Sequence, residues 1–182
     1  MHQRVRRRRV ALLFVWPLTL WSLSALASQV DVPELGVRLT TLPDNASQPI
    51  VTSQASGYEA TTRLGRAVFT IYRENDPAPQ GSDVAEPSYR AILDAKYADS
   101  VKSKTQGAPT AVGGHSAWTV VDAREEGSLS AYTCVTYVLV DQHLYRLLVS
   151  AAPAAARPPE FDALVKAMSG IQFEQVHRAT AG

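Results

Sequence analysis

From Val37 onward, apolar and polar residues alternate in short runs, the period-two signal of strands that bury one face. In "GVRLTTLP" (36–43), Val37, Leu39 and Thr41 fall on one side and Arg38 and Thr40 on the other, and Pro43 stops the run. "YEATTRLGRAVFTIYRE" (58–74) reads as a hairpin turning at Gly65-Arg66. A two-residue turn there puts Tyr58, Ala60, Thr62 and Leu64 on one face with Ala67, Phe69 and Ile71, and leaves the other face mostly polar. The stretch between these runs, 44–57, is irregular, with room for a brief strand at Ile50-Val51.

Two segments change period. "PSYRAILDAKYADSVKSKTQG" (87–107) places Tyr89, Ile92, Leu93, Tyr97 and Val101 at helical spacing, with Pro87 in the first turn and Gly107 beyond the end. "PEFDALVKAMSG" puts Phe161, Leu164, Val165 and Met168 on one side of a shorter helix, and "GIQFE" follows as a closing strand. The proline-rich segments 75–87 and 153–159 are expected as surface loops, and 175–182 as a polar tail.

The strongest pattern is "SAWTVVDARE" followed by "SLSAYTCVTYVLV" and "LYRLLVSA", joined at Glu126-Gly127 and at Asp141-Gln142-His143. A two-residue turn at 141–142 puts Cys134 on a face with Thr136, Val138, Val140, Tyr145, Leu147 and Val149. A three-residue turn flips the return strand and gives it Leu144, Arg146 and Leu148 instead. Both registers leave both faces largely apolar, which in an antiparallel sheet calls for cover on each side. The expected fold is therefore α+β, an antiparallel sheet flanked by helices on both faces. Cys134, Trp118, Tyr145, Leu147 and Phe161 are expected to be structural residues. A thiol buried in such a strand is held protonated and inert.

Residues 1–27 bear on where that thiol resides. Arg4 and Arg6 to Arg9 precede the apolar run "VALLFVWPLTLWSLSALA", which ends in Ala25-Leu26-Ala27, the three-part layout of a secretory leader cleaved after Ala27. A retained anchor helix is the other reading of about 18 apolar residues, and Pro17 and the A-x-A end favour cleavage. The arginine pairs leave the general secretory and twin-arginine routes both open. The expected product is a periplasmic or secreted chain, residues 28–182, folded as one domain with no stable membrane anchor. Five of the 18 Lys+Arg and none of the 17 Asp+Glu lie in the leader, so that product carries a net charge of −4. An acidic chain without a basic stripe speaks against nucleic acid as partner. A lone cysteine cannot form an internal disulfide, so the domain must rest on its apolar core.

Candidate chemistry is sparse. His115, His143 and His177 show no metal-ligand spacing, and no nucleophile elbow, phosphate loop or dinucleotide fingerprint is present. Gly113-Gly114 reads as a tight backbone approach. No cofactor or metal is expected.

"VGGHSAWTVVDAR", "YVLVDQHLYRLLVSA", "FDALVKAMSGIQF" and the opening "LGVRLTTLPD" together resemble the PsbP-like, DcrB-related group of small exported proteins over about residues 35–174. The tryptophan usual after that opening strand has no counterpart between Asp44 and Gln48. The resemblance implies a PsbP-like α/β/α sandwich and a non-enzymatic role in assembling or stabilising a larger complex. The expectation is thus an exported accessory or binding module with a protein partner, recognised through the 75–87 and 153–159 loops. Two alternatives stand beside it: a carrier of a small apolar ligand, and a hydrolase whose His115 or His143 meets an acid and a hydroxyl only in the fold.

Overall fold

The computed structural model describes residues 28–96, 107–126, 129–154 and 156–174. Gly65 and Arg66 form a two-residue turn, with Gly65 at φ 53°, between β4 (Gly57–Leu64) and β5 (Ala67–Pro77). The pairs Leu64↔Ala67, Thr62↔Phe69 and Ala60↔Ile71 follow in the expected register. Ala60, Leu64, Phe69 and Ile71 are buried on one face, so pattern and turn specify the same hairpin.

The longer hairpin resolves the open register. β8 (Leu129–Val140) and β9 (His143–Ala154) close through Asp141 and Gln142, at φ 49° and 67°, with Val140 paired to His143. Positive φ at both central positions is the turn whose twist matches the strands it joins; Asp141 suits its first place, but Gln142 stands where such turns favour glycine. Cys134 accordingly shares its face with Thr136, Val138, Tyr145, Leu147 and Val149. Replacing Asp141-Gln142 by Asn-Gly is expected to raise stability by about 0.5–1 kcal/mol, read as a higher urea midpoint at unchanged slope.

Among the described residues ten strands form two antiparallel sheets. The larger has the order β3-β4-β5-β9-β8-β7-β6, with β3 at Ile50–Gln54, β6 at Ala108–Val112 and β7 at His115–Glu126. The smaller is β1 (Ser28–Val32), β2 (Val37–Leu42) and β10 (Ile171–Phe173), with β2 in the middle. The Gly113-Gly114 turn closes β6 onto β7, and a side chain on Gly113 would strike the Ile171 carbonyl and the Phe173 ring. This is the close backbone approach expected of it.

The expectation of helices layered on both faces is corrected: the molecule is mostly β, with two described helices. One face of the large sheet is covered by the small sheet together with α2 (Pro159–Ser169). Val37, Leu39, Leu42, Phe161, Leu164, Met168 and Ile171 meet Phe69, Val138, Leu147 and Val149 in one buried cluster. Tyr145 ties the two sheets together, its hydroxyl donating to the Leu35 carbonyl at 2.8 Å. On the opposite face, among the described residues, lies the short α1 (Pro87–Lys96), over a smaller cluster of Val84, Leu93, Val135, Tyr137 and Leu144. Ile92, expected in the buried stripe of that helix, is 59% exposed, whereas Val84, in an expected solvated loop, is buried. Tyr97 and Val101 lie outside the described residues. The apolar character of both hairpin faces did demand cover, but on one side a second sheet shares that role with α2. On the other, the sheet's own Trp118 and Tyr137 pack beneath α1.

Candidate functional site

Register brings together on the α1 side residues that are far apart in sequence. Trp118 of β7 pairs with Tyr137, Tyr137 with Arg146, Arg146 with Tyr72, and Tyr72 with Glu59. These five side chains form one row straight across the sheet, because directly paired residues point to the same side. α1 lies over one end of it: the Arg90 guanidinium sits 3.8 Å from the centre of the Trp118 ring, a close cation–π contact. Arg146 repeats the contact more loosely over Tyr72, at 5.5 Å.

At the other end the row opens into a groove of about 300 Å³ lined by Gln54, Ser56, Glu59, Tyr72, Glu74, Asp76, Lys96 and Arg146. Its walls are tied before any ligand arrives. The Tyr72 hydroxyl donates to Ser56 Oγ at 2.7 Å, and Gln54 Nε2 donates to Glu59 at 3.1 Å. Lys96, at the end of α1, holds both carboxylate oxygens of the nearly buried Glu74, at 2.7 and 2.8 Å. Gly57 leaves the space in which the Tyr72 ring lies, since a side chain there would strike that ring and the Arg73 carbonyl. Burial pushes the Tyr137 hydroxyl up to about 12, and burial with the charge of Glu74 raises Tyr89. Both phenols therefore stay protonated at neutral pH and can only donate or accept hydrogen bonds.

The residues singled out from sequence divide between the two faces. Cys134, Tyr145, Leu147 and Phe161 lie in the main core, at 1%, 4%, 0% and 2% exposure, and Trp118 lies half-buried under Arg90. Burial pushes the Cys134 thiol up to about 11. His115 packs edge-on against Phe173, and His143 directs Nδ1 to the Glu74 carbonyl oxygen at 3.3 Å. His177 lies outside the described residues. The 75–87 loop begins inside β5 and lends Asp76 to the groove; in the 153–159 loop Arg157 pairs with Asp162 at 3.0 Å. Glu74, Lys96, Arg90 and Arg146 were not singled out from sequence. Glu59 and Tyr72 fall on the mostly polar face of the 58–74 hairpin, but nothing in the sequence pointed to them as site residues or to the groove they form with Lys96.

No protein-family model and no curated protein matches the chain. A crystal structure from Bacteroides thetaiotaomicron VPI-5482, solved at 1.50 Å, is similar in fold, with a TM-score of 0.52 at 10% identity. The match covers 83% of this chain and 50% of that one, so this chain spans about half the length of that neighbour. Identity this low carries the fold alone. Among the described residues no helix is long and apolar enough to cross a membrane.

Proposed function

We propose that this chain, exported and freed of residues 1–27, is a non-enzymatic accessory module that binds a protein partner through the groove beside α1. The observation that carries this reading is the ordered polar groove at the end of the Trp118–Tyr137–Arg146–Tyr72 row. Tryptophan, tyrosine and arginine are the residues that most often dominate protein interfaces, and side chains already fixed lose little entropy on binding. The groove's two hydroxyls, Ser56 and Tyr72, bond to each other, and the thiol lies on the opposite face of the sheet. The leader pattern supports export, and the resemblance of residues 35–174 to small exported accessory proteins points the same way. The carrier reading has less support, since Phe69, Leu147, Leu164 and Ile171 fill the space between the large sheet, α2 and the small sheet.

The test uses residues 28–182 as bait in the exported fraction of the source cells. A stoichiometric protein partner is expected, and reversing two of the groove's acidic charges with Glu59→Lys and Asp76→Lys is expected to weaken its capture about tenfold or more. Turnover of a small substrate by the purified chain, or capture indifferent to the charge reversal, overturns the proposal.

A further inference from the structure

The two edges of the large sheet are built differently. At one edge, β6 reads Ala-Pro-Thr-Ala-Val, and Pro109 removes a backbone donor, a common guard against strand addition. At the other, β3 reads Ile-Val-Thr-Ser-Gln, with no charge, no proline and no glycine, and all five residues pair in unbroken register with β4. Every second N–H and C=O of an edge strand points away from its neighbour, so β3 presents a short row of them outward. Beside that row stands Ile50, 68% exposed, the most exposed of the large hydrophobic side chains among the described residues. A charged or kinked edge repels a second strand; this one has neither device.

We infer that β3 is an interface between two copies of this chain, joined antiparallel about a two-fold axis through Thr52 to continue the sheet across the pair. The choice of a second copy rests on self-complementarity. Full overlap of the strand with its own copy sets Thr52 opposite Thr52, Val51 opposite Ser53, and Ile50 opposite Gln54. A Thr–Thr pair is favourable across strands, and no like charges meet. The nearest acids, Glu59 on β4 of each copy, stand three strand spacings apart, about 14 Å. Ile50 gains cover from the Gln54 stem of the second copy and from its Thr52 on the diagonal. A two-fold interface of this sort is the commonest way soluble chains associate. Five residues per copy make a small interface, so the dimer is weak and concentration-dependent. Gln54 belongs both to this edge and to the groove wall, but the two readings are tested apart: this one by oligomeric state, the groove by partner capture.

Sedimentation of residues 28–182 over a concentration series up to about 1 mM is expected to show a monomer–dimer equilibrium. Thr52→Lys and Thr52→Glu, at an exposed position, each set like charges against each other across the axis and are expected to weaken the dimer about tenfold. Mixing the two variants is expected to restore it, because only a pairing of residue 52 with itself turns that repulsion into attraction. Unchanged circular dichroism and urea midpoints show that each variant is folded. A native chain monomeric throughout the series, a dimer indifferent to Thr52→Lys, or no restoration on mixing overturns the inference. Binding of an extended peptide to β3 of a monomer overturns it as well.

Discussion

Phe161→Ala is expected to cost about 3–5 kcal/mol of stability, a large share of the roughly 5–15 kcal/mol that holds a domain together. Phe161 is 2% exposed and sits in the first turn of α2, where Pro159 presets the backbone and Glu160 and Asp162 suit the positive end of the helix. Its ring lies 6.1 Å from that of Tyr132, and the Arg157 guanidinium covers it at 5.8 Å from the ring centre. From there α2 continues down the sheet with Leu164, Ala167 and Met168, so Phe161 fixes the end of the lid over the main core. Alanine leaves a cavity in a wall with few ways to collapse, because strands on one side and the small sheet on the other are held by their own ladders. Phe161→Leu retains most of the volume and is expected to cost less than half as much. Urea unfolding of the native chain and both variants checks the order. A loss below about 1 kcal/mol for alanine refutes the packing of α2 described above.

What could be read from the residues was local. The β4–β5 hairpin was legible because Gly65 and the alternation on either side of it gave the same register. α2 and β10 were legible from spacing, although Ala167, small enough to pass for a neutral position, is buried and Val165 only half so. β1 and β6 were missed, the first because "SQVDV" is short and largely polar, the second because Pro109 argues against a strand except at an edge. Partners were the harder part. Residues 36–43 and 171–173 each announce a strand, but nothing within either says that Ile171 pairs with Leu39, far back in the chain, rather than with the large sheet. The second sheet was therefore invisible, and helices were expected where it stands. The groove was hidden for the same reason. Its lining comes from β3, β4, β5, α1 and β9, and Arg146 reaches it only because Asp141 and Gln142 adopt a two-residue turn, at whose second place glycine, not glutamine, is favoured.

Cys134 is expected to react with a thiol reagent in the folded chain about a thousandfold or more slowly than in urea, because an enclosed thiol must await unfolding. Its strand neighbours are Val149 on one side and Val121 on the other, and burial raises it from an ordinary 9.0 to about 11. The sign of the resulting pH dependence follows from which state holds the proton. Between pH 9 and 11 the unfolded chain has released it and the folded chain has not, so alkali favours unfolding through that window. Two units correspond to about 2–3 kcal/mol, fully present below pH 9 as stability and lost by pH 11. Cys134→Ala removes this dependence and costs about 1 kcal/mol in lost packing. The two stability curves should therefore cross: the native chain more stable at pH 8, the variant more stable at pH 11. The buried Tyr137 and Tyr145 titrate in both proteins and cancel in the difference. Parallel curves from pH 8 to 11, or rapid labelling without denaturant, would show instead a sulfur open to water, and with it a gap in the cover that α2 and the small sheet provide.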